Sequence, residues 1–149
     1  MKILVINGPN INFVGIREKG IYGTESYADI CGDLIRYAEK IGIELEIWQS
    51  NHEGAIIDKI QSIYNTDVFG VVINPGAYTH YSYAIADAIK SVEQPFIEVH
   101  FSDINSREDF RKISVTKPAC VRQISGLGPK GYFAALDALK TLYEESANE

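Results

Sequence analysis

The chain has 149 residues, of which 46% are hydrophobic and 23% are charged, and its formal net charge is −6. This length predicts one domain over residues 1–149, and the negative charge argues against nucleic acid as the main partner. Cys31 and Cys120 form no disulfide framework or zinc pattern, and the first apolar run, residues 3–6, is too short for a signal peptide. We therefore expect a soluble cytoplasmic protein without a membrane segment.

Short apolar runs alternate with helical patterns along the chain. A helix is predicted from the N-cap Ser26, with Asp29 completing a shortened capping box and Gly42 ending it. The remaining predicted helices cover residues 56–64, 81–92, 108–113 and 132–143. The predicted strands cover residues 3–6, 43–47, 68–73, 96–99 and 120–124.

This alternation predicts an α/β fold with a parallel sheet, because each crossover helix must pack back on a face of the sheet. The second strand alternates apolar residues with Glu44 and Glu46, as an edge strand does, whereas the third is apolar on both faces. A flavodoxin-like order 2-1-3-4-5, with helices on both faces, fits these two strands.

Polar residues collect after the strands, where open α/β sheets bind ligands. Glu98 and His100 stand two apart on a strand and so share a face, either as a structural ion pair or as a carboxylate that orients an imidazole for catalysis. Arg107 and Arg111 would share a face of a helix, either as a solvated stripe or as a site for an anionic substrate.

Several other functions find little support. Residues 126–131 match GxGxxG literally, but no further strand or ribose-binding acid follows, so a strand-to-helix turn is the better interpretation. No P-loop or GxSxG motif occurs. A metal site drawn from the histidines and nearby glutamates stays a minor alternative, since no pair has a recognised ligand spacing on one element.

Taken together, the segments resemble the type II 3-dehydroquinate dehydratases (type II dehydroquinases) in order from residue 3 to about residue 140. The matching segments are INGPNIN at 6–12, GIRE at 15–18 with YG at 22–23, QSNHEG at 49–54, NPGAYTH at 74–80, ADA at 86–88, EVH at 98–100 with Ser102, RE at 107–108 with FR at 110–111, and GLG at 126–128.

The resemblance implies a hydro-lyase (EC 4.2.1.10) of the shikimate pathway of aromatic amino acid biosynthesis. Such enzymes convert 3-dehydroquinate to 3-dehydroshikimate by anti elimination of water through an enolate, with no metal and no other cofactor. It also implies a mobile lid loop at about residues 15–24 and a homododecamer built from four trimers. The alternative from another class is a flavodoxin-like module that binds a nucleotide or flavin.

The resemblance also implies the catalytic roles. Tyr22 would be the general base that removes the proton from C2, and Arg17 would lie near it on the lid loop. His100 would be the general acid for the departing C1 hydroxyl, oriented by Glu98. Asn10 would hold a water that stabilises the enolate oxygen.

For substrate binding, the resemblance implies a set that contacts the carboxylate and the hydroxyls: Asn74, His80, the Phe101 amide, Ser102 and Arg111. Arg107 would support the closed site, and Asp87 would reach in from a neighbouring subunit. The chain departs from the family pattern at Phe101, Asp103, Asn105 and residues 112–115. We expect these departures to affect the rim of the site and the stretch after the arginines, and not the acid, the base or Asn74.

Overall fold

The fold was analysed in a computed structural model, which describes residues 1–16 and 25–149. The described residues form a parallel five-stranded sheet in the order β2-β1-β3-β4-β5, as predicted. The strands are β1 (Lys2–Asn7), β2 (Glu44–Gln49), β3 (Val68–Asn74), β4 (Phe96–His100) and β5 (Arg122–Ser125). The α-helices are α1 (Tyr27–Lys40), α2 (Glu53–Gln61), α3 (Tyr83–Lys90) and α4 (Lys130–Ala147).

Two hydrophobic cores lie on opposite faces of this sheet because successive strand residues point to opposite sides. In β1, Ile3 and Val5 pack in the core that α1 and α4 cover. Leu4 and Ile6 pack in the core that α2 and α3 cover. Because β1 carries apolar side chains on both of its faces, the sheet needs helices on both sides, which explains the doubly wound arrangement.

The start of α1 confirms the predicted capping box. The Asp29 backbone N–H donates to Ser26 Oγ over 3.1 Å, and the Ser26 N–H donates to an Asp29 carboxylate oxygen over 3.4 Å. Gly42 follows the end of the helix with a φ of +81°, a left-handed conformation that glycine adopts without strain.

Two predicted helices have other bounds in the structure, and the second covers Glu53–Gln61 instead of residues 56–64. The second ends at Gln61 rather than at residue 64, because the Ser62 and Thr66 hydroxyls donate to the Lys59 and Ile63 carbonyls and Asn65 takes a φ of +57°. The helix predicted over residues 81–92 covers only Tyr83–Lys90. The strand predicted at 120–124 begins at Arg122 and ends at Ser125.

No helix among residues 1–16 and 25–149 is long and apolar enough to cross a membrane. The predicted lid at 15–24 falls largely on residues 17–24, which lie outside the described residues. Gly15, just before them, has a φ of +85°, and an added Cβ there would stand 2.3 Å from the Glu25 carbonyl oxygen. That close approach of the two chain segments requires a glycine.

Candidate active site

One cleft opens at the carboxyl ends of β1, β3 and β4. It is lined by eight of the residues predicted to form the site, namely Asn10, Asn74, His80, His100, Phe101, Ser102, Arg107 and Arg111. Parallel strands all end at the same edge of the sheet, so residues that are far apart in sequence meet there. The cleft therefore contains most of the constellation that the sequence predicts.

Glu98 lies beneath the cleft, and His100 stands above it on the same face of β4. The Glu98 side chain is fully buried, and His100 Nε2 lies 2.9 Å from Glu98 Oε2. An ionised carboxylate can only accept a hydrogen bond, so His100 Nε2 carries a proton. The second ring nitrogen, Nδ1, is thereby left to face a ligand in the cleft.

Three further donors hold the Glu98 carboxylate. Ser114 Oγ and Gln123 Nε2 donate to Oε2 over 2.8 and 2.7 Å, and Thr116 Oγ1 donates to Oε1. Burial raises the pKa of Glu98, but the hydrogen bond and charge of His100, together with Thr116 and Gln123, outweigh it and lower the pKa to about 2. Glu98 is therefore an anion beside His100 at neutral pH.

The segment at residues 112–115, which departs from the family pattern, contacts two of the predicted site residues. Ser114 Oγ donates to the buried Glu98 carboxylate over 2.8 Å. The Ile113 carbonyl oxygen lies 2.7 Å from His80 Nδ1. These contacts were not predicted, because nothing in the local sequence shows that the segment folds back over β4.

His80 is held as a neutral imidazole at the side of the cleft. Its Nδ1 donates to the Ile113 carbonyl, which leaves Nε2 as an acceptor. Burial lowers the pKa of His80, and the positive charges of His100, Arg111 and Arg107 lower it further, against the opposite effect of the hydrogen bond to Ile113. In this state His80 Nε2 can accept a hydrogen bond from a ligand hydroxyl.

Arg107 and Arg111 line the cleft, but they do not share a face of a helix as predicted. Only Asp109–Arg111 forms a single 3-10 turn, and Arg107 precedes it in extended conformation. Arg111 Nε donates to a Glu108 carboxylate oxygen over 2.8 Å, which orients the guanidinium. Two guanidinium groups thus line this cleft of an acidic protein, and guanidinium groups are suited to bind a carboxylate ligand.

The glycine turn after β5 fixes the backbone at the bottom of the cleft. The Gly126 N–H donates to the His100 and Ser102 carbonyls over 3.3 and 3.2 Å, and the Gly128 N–H donates to the Phe101 carbonyl over 2.9 Å. Gly126 and Gly128 have φ values of +84° and +58°. The literal GxGxxG match is thus a strand-to-helix turn, as predicted, and it positions residues 100–102.

Asn10 enters the cleft from a strained turn after β1. Its φ of +68° is left-handed, and its backbone N–H donates to Asn51 Oδ1 over 3.1 Å. Gln49 Nε2 also reaches Asn51 Oδ1, over 3.0 Å. The loop after β2 therefore supports the loop after β1, a role for QSNHEG that the sequence did not reveal.

Two of the predicted site residues, Arg17 and Tyr22, lie outside the described residues. Asp87 is exposed on α3 and does not line the cleft of its own chain. Within the described ranges, no group of three or more His, Cys, Asp and Glu side chains could hold a metal ion.

A buried polar pair lies beneath Asn74 and was also missed. Tyr132 is 2% exposed and Asn7 is 1% exposed, yet the Tyr132 hydroxyl is hydrogen-bonded to both Asn7 and Asn74. Tyr132 falls on the apolar stripe of the last helix, so the helical pattern predicted it only as a core residue. The signal in the sequence was the tyrosine itself. A core position on the apolar face of a helix accepts phenylalanine, and a buried tyrosine hydroxyl there needs a hydrogen-bond partner.

The fold and the cleft define a flavodoxin-like α/β protein whose site, at the carboxyl edge of its sheet, is lined by two histidines and two arginines. The family model for dehydroquinase class II matches residues 1–140. The chain therefore belongs to the class II dehydroquinase family.

Relatives and solved structures agree with this membership. The chain is 59% identical over 143 residues to the 3-dehydroquinate dehydratase of Lachnospira eligens, covering 95% of this chain and 97% of that protein. The crystal structure of type II dehydroquinase from Butyrivibrio crossotus superposes with a TM-score of 0.93 at 60% identity, covering 94% and 97% of the two chains. That from Propionibacterium acnes superposes with a TM-score of 0.91 at 43% identity, covering 94% and 96%. These matches favour the dehydratase over the nucleotide- or flavin-binding alternative.

Proposed function

We propose that the protein is a 3-dehydroquinate dehydratase that eliminates water from 3-dehydroquinate in the anti sense and yields 3-dehydroshikimate. The observation that carries this proposal is the cleft, in which His100, paired with the buried Glu98, lies together with Asn74, His80, Arg107 and Arg111. Family membership over residues 1–140 supports the same reaction and a place in the shikimate pathway.

In the proposed reaction, the Tyr22 phenolate takes the proton from C2, and the electrons move into the C3 carbonyl to give an enolate. Asn10 holds the water that stabilises the enolate oxygen. When the enolate collapses, the C1–O bond breaks and a C1=C2 double bond forms. His100 gives a proton from Nδ1 to the departing hydroxyl, which leaves as water.

Glu98 supports this acid step by its charge. As an anion it stabilises the doubly protonated imidazolium of His100 before the proton is given away. The proton on Nε2 stays in the hydrogen bond to Glu98, so the transferable proton lies on the nitrogen that faces the cleft. This arrangement fixes which ring nitrogen acts.

Tyr22 needs help to act as a base at neutral pH, because only about 0.1% of a tyrosine with a pKa near 10 is ionised at pH 7. A guanidinium close to the phenol would favour the phenolate, and we assign this role to Arg17. Closure of residues 15–24 as a lid would exclude water and strengthen that interaction.

The substrate carboxylate and hydroxyls are assigned to Asn74, His80, the Phe101 amide, Ser102 and Arg111, with Arg107 supporting the closed site. We further propose a cytoplasmic homododecamer of four trimers, in which Asp87 completes the site of a neighbouring subunit. The exposure of Asp87 outside its own cleft supports this assignment.

The direct test adds 3-dehydroquinate to the purified protein and follows the absorbance of the conjugated enone carboxylate. We expect the absorbance to rise at the same rate with and without EDTA. Tyr22→Phe should remove turnover and leave the fold intact, because it deletes only the proposed base. Near-normal turnover of that variant would place the base elsewhere, and no absorbance change with the unaltered protein would overturn the proposed function.

A further inference from the structure

A chain of hydrogen bonds runs from the floor of the cleft into the core between the sheet and α4. Asn74 Nδ2 donates to the Tyr132 hydroxyl over 3.3 Å, and the Tyr132 hydroxyl donates to Asn7 Oδ1. Asn7 Nδ2 then donates to the Tyr27 hydroxyl over 3.2 Å. Asn7 and Asn74 are register partners on β1 and β3, so both amides point to the same face of the sheet.

The hydrogen bonds of Asn74 fix which atom it offers to a ligand. The Gly76 backbone N–H lies 3.2 Å from one end of the amide and can only donate, so that end is the oxygen Oδ1. One Nδ2 proton is donated in the hydrogen bond to the Tyr132 hydroxyl. The second Nδ2 proton is left for the cleft, and Asn74 therefore meets its ligand as a donor.

We propose that Tyr132 is a positioning residue, which holds the Asn74 amide so that it donates a hydrogen bond to the substrate. This inference rests on the proposed function for the identity of the substrate. The orientation of Asn74 itself depends only on contacts within the protein.

Two further contacts suit Tyr132 to this role. Its ring packs edge-on against Phe101, with centroids 5.3 Å apart and planes at 87°, so it supports a second residue of the cleft. Complete burial raises the pKa of Tyr132 far above the ordinary value. The hydroxyl therefore stays protonated and keeps its bond to Asn7 over the whole range in which enzymes work.

The test is Tyr132→Phe, which removes the hydroxyl and keeps the ring. The Asn74 amide loses the acceptor that fixes it, and we expect KM to rise about three- to tenfold while kcat changes less than about twofold. Urea unfolding of the same variant reports its stability. A KM equal to that of the unaltered protein would reduce Tyr132 to a packing residue and overturn the proposal.

The matched control is Tyr37→Phe. The Tyr37 hydroxyl joins α1 to α4 through Asp137, and Tyr37 is not among the residues that line the cleft. We expect the control to leave KM unchanged whatever its effect on stability. An equal rise of KM in both variants would mean that the rise comes from a general loss of stability and not from the orientation of the Asn74 amide.

Asn7→Ala supplies a second variant that leaves the Tyr132 ring and hydroxyl in place. Tyr132 loses its acceptor but can still accept from Asn74, so we expect KM to rise in the same direction by a smaller factor. A larger rise than in Tyr132→Phe would contradict the proposed order of the chain.

A measurement without turnover separates this inference from the proposed function. In side-chain amide NMR, one Asn74 Nδ2 proton should be protected from solvent exchange in the unaltered protein, and neither should be protected in Tyr132→Phe. Unchanged protection would overturn the role of Tyr132 even in an active enzyme. Loss of protection in a protein that does not dehydrate 3-dehydroquinate would keep that role and overturn only the proposed function.

Discussion

Glu98 illustrates how one residue acquires its role from its surroundings. A carboxylate with no exposed surface is costly unless every lone pair finds a donor, and here four side chains supply them: His100, Ser114, Thr116 and Gln123. Three of these donors are neutral, so their hydrogen bonds to Glu98 do not depend on the charge of His100. If His100 is the proposed acid, these bonds would hold the carboxylate in place while the imidazole releases its proton.

The low pKa of Glu98 predicts how stability depends on pH. The pKa falls from 4.5 to about 2 on folding, so the contribution of Glu98 is fully present above pH 4.5 and is lost as the pH falls towards 2. Glu98→Gln lacks this contribution. We expect the unaltered protein to be more stable than the variant at pH 6, with the difference shrinking on acidification to pH 3.

Urea unfolding of both proteins at several pH values measures this difference. Glu46→Gln is the control, because Glu46 is an exposed carboxylate paired with Lys59 on the surface. A gap between Glu98→Gln and the unaltered protein that stays constant from pH 6 to pH 3 would contradict the assigned pKa.

At the scale of elements, side-chain caps decide where helices begin. Ser26 caps α1 from a half-buried position, whereas Ser82 caps α3 with 2% exposure. Ser82 Oγ accepts the Ile85 N–H over 3.1 Å and also donates to the Glu53 carboxylate at the start of α2. The Ser82 hydroxyl therefore connects the N-termini of α2 and α3, whereas the Ser26 hydroxyl caps α1 alone.

These two caps predict unequal losses of stability. Ser26→Ala should lower the free energy of unfolding by about 1 kcal/mol, and Ser82→Ala by about 2 kcal/mol, since the latter also leaves a buried N–H without an acceptor. Ser91→Ala at the end of α3 is the control and should change it by less than about 0.5 kcal/mol. Equal losses for Ser26→Ala and Ser82→Ala in urea unfolding would refute this ranking.

The segment between β4 and β5 shows why the sequence predicted some elements poorly. It forms three 3-10 turns, at Ile104–Ser106, Asp109–Arg111 and Lys117–Ala119, instead of the predicted helix. The Asp103 and Ser114 side chains accept backbone N–H groups within this segment and so compete with helical hydrogen bonds. The path of the chain back to β5 decides whether side chains or helical carbonyls accept these N–H groups. The periodicity of apolar residues carries no information about that path.

At the scale of the whole molecule, the parallel sheet collects one set of strand ends at one edge. The chain has a net charge of −6, yet two arginines, Arg107 and Arg111, line the cleft at this edge. If the proposed trimer is correct, each cleft is completed by Asp87 of another copy. This predicts complementation between two inactive variants.

His100→Ala and Asp87→Ala should each lower kcat, the former by about 10²–10⁴-fold. Co-expressed in equal amounts, they should recover about a quarter of the activity, because half of the subunits keep His100 and half of those meet an intact Asp87. His100→Ala with Arg111→Ala is the control and should recover nothing, since both residues line the same cleft. No recovery in the first mixture would place Asp87 outside the neighbour's site.

Local signals in the sequence predicted the sheet order, and the resemblance of its motifs to a known family predicted the residues that line the cleft. Apolar runs, capping residues and motifs are short-range patterns, and the polarity of a parallel sheet then places every strand end at one edge. Glu98 and His100 meet because a strand alternates its faces, which the spacing of two already predicts.

Only the tertiary structure decided the partners that set the state of these residues. The contacts of Ser114, Thr116 and Gln123 with Glu98, and of Tyr132 with Asn7 and Asn74, join segments that no local pattern relates. A buried polar atom must find a partner, but the sequence does not say which distant segment supplies it. The packing of the whole chain decides which segment supplies the partner, so only the tertiary structure shows the hydrogen bonds beneath the cleft.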